Sequence, residues 1–339
     1  MGLTPKRLTP AAEQVVCMAG VVCNSFAEAA DDVLRTMAGL RLCESTAQRT
    51  AEDAGERLGQ LLADGKTFGF PKPWDWHRDA QGHTCAYISI DATGVRQQAQ
   101  DGGKADGRMP YVAMVYNPVP DLPADSPYLP SPKATMQARY LAGLYELDEL
   151  GPQLRKQAGQ VGMDHADQWL GLTDGGNGLE NFVRTNFPRD VELILDFWHA
   201  SEYLRELAKL LHPEDEETRQ QQYIQWCHLL KHEGGQAMIA HLEEWPVPPR
   251  KPAARQKLLE TLNYFKNNVH RMDYPRYEAK GWLIGSGAME SACKTVVGQR
   301  LKLAGMRWRE EGTDAICHLR ALFKSEPCQW QAFWQRSIN

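Results

Sequence analysis

The rhythm of apolar and polar positions changes along the chain, and each change marks a predicted change of element. Up to residue 66 the pattern is helical. Pro10 after Thr9 suits a first helical turn, Ser25 is placed to cap a helix over 26–40, and Ser45 to cap one over 46–62. The turn-rich linker Pro71-Lys72-Pro73-Trp74-Asp75-Trp76 ends this region. Strand-like runs then follow at 85–95, 110–116 and 136–142, separated by a Gly/Asp-rich turn over 101–107 and a proline-rich loop over 117–132. Next come an amphipathic helix over 144–159, a strand over 168–173, a short helix over 178–187 and a buried-type strand over 191–196. Between 201 and 268 the pattern is wholly helical, with helices expected at 203–211, 223–231, 237–244 and 255–266 and a break at Pro246-Val247-Pro248-Pro249. A last helical stretch opens after Gly285-Ser286-Gly287.

The central order is therefore β-β-β-α-β-α-β, with an acid closing the first and fourth strands. That is the order of a ribonuclease-H-like fold, in which ligands gather at the carboxyl ends of the strands. The expected architecture is α/β: a ribonuclease-H-like mixed sheet with an all-α insertion and an N-terminal helical region. Its predicted segments are 1–70, 79–198, 199–274, 275–325 and a tail over 326–339.

Three carboxylates stand out at element ends. Asp91 closes Tyr87-Ile88-Ser89-Ile90, Asp174 follows Trp169-Leu170-Gly171-Leu172-Thr173, and Glu290 sits just inside the helix after Gly287. Each alone has an ordinary explanation: Asp91 and Asp174 suit turns, and Glu290 suits a helix N-terminus or an i,i+4 pair with Lys294. Together they have the pattern of acids that converge on hard divalent metal, Mg²⁺ with Mn²⁺ able to substitute, where a pair of ions clamps the attacking and leaving oxygens of a phosphodiester. Asp174-Gly175-Gly176-Asn177-Gly178 lacks the lysine and spacing of a phosphate-binding P-loop.

Composition and charge narrow the picture. At 339 residues and 42% hydrophobic content the chain buries a sizeable core, in two or three structural units. No run reaches the ~18 apolar residues of a membrane span, and no apolar signal core follows Met1, so a cytoplasmic, nucleoid-associated protein without membrane contact is expected. The eight cysteines are scattered with no CxxC pair, which excludes a zinc ribbon and a disulfide framework. Net charge is −5, yet 13 Lys/Arg against four acids lie between Arg250 and Arg309. Such a stripe fits a phosphate backbone, or a solvated helical face. Arg271, Arg276, Lys294, Arg300, Lys302, Arg307 and Arg309 are expected to form a DNA-binding face beside Glu290. Trp308, between two of these arginines, is expected either to stack on an unpaired base or to cap the core. Met289, Ala292, Cys293, Val296 and Val297 form an apolar stripe that turns Lys294 and Lys302 outward. The two helices around Gly39 resemble a helix-turn-helix with Ser45, Thr46, Gln48 and Arg49 leading the second helix. With six Lys/Arg against nine Asp/Glu up to Gly65, a plain helical bundle is the stronger expectation.

Several blocks are more specific: Leu195-Asp196-Phe197-Trp198-His199-Ala200-Ser201-Glu202, Asn263-Tyr264-Phe265-Lys266-Asn267-Asn268, Arg271-Met272-Asp273-Tyr274, Ile284 through Ala292, and Gln299 through Trp308. With Ile90-Asp91-Ala92-Thr93-Gly94-Val95 and Leu172-Thr173-Asp174-Gly175, these blocks resemble the ISKra family of bacterial insertion-sequence transposases over roughly residues 1–323. The resemblance implies a DDE transposase. Asp91, Asp174 and Glu290 would be the metal-binding triad that cuts double-stranded DNA at element ends and joins the 3′-hydroxyl to target DNA, working as a homodimer or larger assembly. Asp196-Phe197-Trp198-His199 is similar to the Asp-x-x-His motif of Mutator- and hAT-type transposases, which implies that Asp196 and His199 orient DNA or the triad; a satisfied core histidine is the plainer alternative. The chain departs from the family where Asp-Gly-Ala-x-Trp is usual after the second acid, and it starts almost directly on the aligning segment. Both departures set an alternative expectation: a truncated or domesticated descendant that binds DNA or other protomers without cutting. A ribonuclease-H-like structure-specific nuclease is a third.

Overall fold

A computed structural model describes residues 8–118, 136–176, 178–246, 251–326 and 329–336. The proline break at 247–249, Asn177, Cys328 and most of the expected loop over 117–132 lie outside the described residues. The described chain is α/β with both parallel and antiparallel strand pairs, and it divides into two compact units. The first comprises Met1–His77, Ile90–Ala166 and Ala288–Asn339; the second comprises Arg78–Ser89 and Asp167–Gly287.

In the first unit, α1 (Pro10–Val22) begins as the sequence predicts, with Pro10 in the first turn and the Thr9 side chain accepting from the Ala12 N–H. Ser25 likewise caps the next helix, accepting from the Glu28 N–H; its first turn, α2 (Phe26–Glu28), widens into a π-helix over Ala29–Met37. Helix α3 (Glu44–Ala63) corrects the expected cap. It starts two residues early, with Cys43 at the N-cap and Ser45 inside the helix.

Helix α12 (Glu310–Lys324) packs against α3 and is buried almost all round from Gly312 to Leu322. The contact is close because of glycine: a Cβ on Gly55 would stand 2.2 Å from the Ala315 carbonyl oxygen. Leu58, Ile316 and Leu319, all fully buried here, each contribute roughly 1.5–3 kcal/mol of apolar burial. The other side of α12 covers β6 (Gln137–Gly143), which runs antiparallel to β5 (Tyr111–Asn117) from Tyr111↔Gly143 to Asn117↔Gln137. Helix α4 (Leu147–Gln160) covers the same two strands.

The expected turn over 101–107 is instead part of a hairpin, β3 (Val95–Gln98) with β4 (Lys104–Arg108). Its second strand is polar and glycine-bearing, so it carries no alternating apolar signal and is held by backbone pairing. Trp308 extends it: its N–H donates to the Arg96 carbonyl and its carbonyl accepts from the Gln98 N–H.

In the second unit, the first six residues of β2 (Thr84–Ala92), then β7 (Gln168–Thr173) and β8 (Val191–Leu195), pair in parallel, with β7 central. Parallel strands covered on both faces read as unbroken apolar runs, and this is why Ala86–Ile90 and Trp169–Leu172 do not alternate. Gly171 lets α5 (Leu179–Asn186) approach, since a Cβ there would meet Val183 and Leu193 side chains at 3.2 and 2.8 Å. The helical region is α6 (Phe197–Leu211), α7 (Glu216–Glu243), α8 (Pro252–Asn268) and α9 (Tyr274–Ala279). Two of the four helices predicted here are halves of α7, which kinks at Gly234, where φ is +84°. The chain leaves this unit into α10 (Gly287–Ala292), which passes into a π-helix over Cys293–Gly298 and a last turn, α11 (Gln299–Leu301). Among the described residues no helix is long and apolar enough to cross a membrane.

Candidate active site

Two of the three predicted acids, Asp91 and Glu290, lie in the first unit, and both act on the Cys293 thiol. Asp91 lies at the end of β2, where its Oδ1 accepts from the Ala92 N–H at 2.7 Å. Its Oδ2 takes a weak bond from the Cys293 thiol at 3.8 Å. Burial, then the charge of Asp91, push that thiol up to about 12, and Glu290 adds to the rise. Asp91 thus contacts this thiol, while Glu290, three residues before it in the chain, acts on it by charge. The helix that carries Glu290 widens into its π turn at Cys293, a distortion often found at functional sites.

Lys302 completes the cluster, donating to Thr93 Oγ1 at 2.9 Å, two residues beyond Asp91, and lowering the Cys293 pKa by its charge. The apolar stripe expected around Glu290 is buried at all five positions, Met289, Ala292, Cys293, Val296 and Val297, while Lys294 and Lys302 are exposed.

Asp174 belongs to the second unit. Its carboxylate caps its own turn, accepting from the Gly176 N–H at 2.8 Å. Its charge also acts on two phenols, Tyr203 and Tyr264, whose pKa values are raised first by burial and then in part by Asp174. The two rings stack at 4.0 Å. Tyr264 packs so closely on Gly175 that a Cβ there would lie 2.4 Å from the ring, so glycine is required after this acid. Among the described residues no three His, Cys, Asp or Glu side chains are grouped to hold a metal ion.

Asp196 and His199 do different work. Asp196 is buried and caps α6, accepting from the Trp198 N–H at 2.9 Å, and it holds Ser286 through both the Ser286 N–H and hydroxyl. Its hydrogen bonds thus tie the start of α6 to the loop before Glu290. His199 is half-exposed; its Nδ1 lies 3.7 Å from Glu202, and its ring meets Tyr203 and Tyr264 edge-on. It is neither a buried core histidine nor a described hydrogen-bond partner of Asp174. Its link to that acid runs through the Tyr264 ring.

The expected basic face is smaller than the sequence suggests. Arg300 is 1% exposed, with its guanidinium over the Phe26 and Trp308 rings and Nε donating to the Gly20 carbonyl at 2.9 Å. Trp308 is 7% exposed and donates to the Leu301 carbonyl, so it caps the core. Arg271, 3% exposed, donates to Thr173 Oγ1 at 3.1 Å and braces the residue before Asp174. Arg276 is held by Glu192 and Asp273; the bond to Glu192 raises its pKa, against the lowering effect of burial, and Asp273 adds to the rise. The three arginine corrections have one physical origin: a guanidinium on a long stem reaches buried carbonyls and carboxylates as readily as phosphate.

Lys294, Lys302, Arg307 and Arg309 remain exposed. Arg307 and Arg309 line a cleft of about 620 Å³ with Ser45, Gln48 and Arg49 of α3, so the start of α3 and the basic C-terminal stripe meet there. That meeting and the packing of Tyr264 on Gly175 leave no periodic signal in the sequence; the Asn263–Asn268 block is the only trace of the second. The chain matches no protein-family model, and no curated protein matches it.

Proposed function

We propose that the protein is a DDE-type transposase built on a ribonuclease-H-like core, which cuts double-stranded DNA at element ends and transfers the freed 3′-hydroxyl to target DNA. The single observation that most supports this is that the Cys293 thiol, three residues after Glu290, meets Asp91 from far earlier in the chain and feels the charges of Glu290 and of the Thr93-bound Lys302. Oxygen donors beside an exposed ammonium are what phosphoryl transfer needs. Asp91 and Glu290, with Asp174 by resemblance, would hold Mg²⁺ or Mn²⁺. When bound, such ions stabilise charge on the phosphodiester and lower the pKa of the attacking water or hydroxyl. Lys302 and Lys294 then hold phosphate oxygens beside the acids, while Arg307, Arg309 and Arg49 track the backbone further along. Arg271 and Asp196 act through others, the first on Thr173 and the second on Ser286.

The test is cleavage of a duplex carrying the element's terminal sequence, with Mg²⁺ or Mn²⁺. Asp91→Asn, Asp174→Asn and Glu290→Gln should each abolish cleavage and leave folding and DNA binding intact. A variant that keeps more than about a tenth of wild-type activity, only ~1.4 kcal/mol in barrier, removes that acid from the triad. A wild-type chain that binds the duplex and never cuts it would instead favour the domesticated descendant.

A further inference from the structure

One cavity in the first unit lies outside everything assigned above. About 810 Å³ in volume, it is walled by α3, the start of α4 and the first part of α12. Seven acidic side chains line it against one ammonium, Lys156, so its field favours a cation. A field of that kind selects no particular ligand. Two side chains of α12 on the same wall, Asp314 and His318, do.

His318 is 5% exposed, and its Nε2 has no hydrogen-bond partner among the described residues. Its Nδ1 stands 3.3 Å from the Gly55 carbonyl oxygen, a contact that is a hydrogen bond only when Nδ1 carries the proton. Burial lowers the ring's pKa, so it is neutral near pH 7 and Nε2 is a bare acceptor. Asp314 Oδ1 accepts from the Leu144 N–H at 2.7 Å and lies 3.6 Å from Nε2, too far for a hydrogen bond. Two atoms that ligate one tetrahedral Zn²⁺ at ~2.0–2.1 Å stand about 3.3 Å apart, so the pair is close to the spacing of co-ligands. Both atoms also border one spot over Gly143, where a Cβ would lie 2.6 Å from Asp314 Oδ1 and 2.9 Å from His318 Nε2. Glycine keeps the space beside them open. The bonds behind the pair have the form that metal ligands use: an imidazole fixed through its other nitrogen by a carbonyl, and a carboxylate fixed by an N–H. Gln153 of α4, 7% exposed and on the same cavity, adds an Oε1 with no partner among the described residues. An imidazole nitrogen beside a carboxylate suits a borderline ion such as Zn²⁺, whereas Mg²⁺ prefers oxygen alone.

We propose that His318 Nε2 and Asp314 Oδ1 bind a borderline divalent metal of the Zn²⁺ class, with Gln153 Oε1 and cavity water in its remaining positions. No α3 carboxylate is needed as a ligand, and the site does not depend on the proposed DNA chemistry. The probe is Zn²⁺ itself, titrated calorimetrically into the full chain at neutral pH. Saturable binding is expected, and excess Mg²⁺ should not displace it. Asp314→Asn keeps an oxygen for the Leu144 N–H and should weaken this binding at least tenfold. His318→Gln should abolish it. His318 is buried, so the half-exposed Asp314 carries the decision if the His318 variant does not fold. His228→Gln, in the exposed imidazole pair of α7, and Cys43→Ser, at an exposed thiol, should leave it unchanged. In the wild-type chain Zn²⁺ should shift the His318 Nε2 resonance and raise the melting temperature. Four results would overturn the assignment: no zinc binding, wild-type affinity in Asp314→Asn, equal competition by Mg²⁺, or loss of all binding in His228→Gln or Cys43→Ser.

Discussion

Arg300 and Lys302 stand two residues apart in a basic stretch and end in opposite environments. Arg300 turns inward to Phe26, Trp308 and the Gly20 carbonyl, while Lys302 stays at the surface on Thr93. Salt dependence separates the two. Lys302→Ala and Lys294→Ala should each flatten the slope of log affinity against log salt by ~0.9, the loss of one phosphate contact; an unchanged slope would make them a solvated face. Arg300→Ala should leave the slope alone and cost about 2–4 kcal/mol of stability, from a charged hydrogen bond and a desolvated cation–π stack. Urea denaturation reads that loss. His318 gives a pH signature with a defined sign. Its folded pKa is lowered, so below about 6.5 the unfolded chain binds the proton first, and stability falls as pH drops through that value toward the folded one. Denaturation midpoints should decline from pH 8 to 5.5, less steeply in His318→Gln; equal slopes would remove His318 as a source.

At the scale of elements, the α3–α12 contact decides more than its composition announces. Gly55 and Gly59 sit one turn apart on α3, the first against the Ala315 carbonyl and the second against the His318 ring. In an isolated helix Gly→Ala is stabilising by up to ~1 kcal/mol. Here Gly55→Ala forces a Cβ onto backbone, so a net loss of about 1–3 kcal/mol is expected from overpacking. A thermal melt that rises would show that the helices separate easily. Local chemistry made the caps at Thr9 and Ser25 legible, because a side-chain oxygen and a nearby N–H are all a cap requires. Ser45 had the same chemistry and lost the position to Cys43, because α3 starts two residues earlier. The hairpin strand Lys104–Arg108 and the π turn at Cys293 left no pattern, since pairing and packing from elsewhere impose them.

For the whole molecule, a net charge of −5 coexists with a DNA-binding proposal because charge is unevenly placed. The four exposed cations near the α10–α12 connection are close in sequence, whereas the acidic excess lies elsewhere along the chain. Transposition joins two element ends, so sedimentation with a paired-end duplex should show two or more chains per complex. One chain per pair of ends would exclude joint action of two protomers.

What the sequence by itself determined is what short-range chemistry controls. Largely apolar runs specified β2, β7 and β8, the stripe from Met289 to Val297 specified which side of Glu290's helix is buried, and element ends placed the three acids. Tertiary structure alone decided which charges remain outside, that Asp91 meets the Cys293 thiol while Lys302 reaches Thr93, and that Tyr264 covers Gly175. The reason is physical: an arginine's destination and a carboxylate's neighbours depend on carbonyls, rings and charges far along the chain, whose approach local periodicity does not encode.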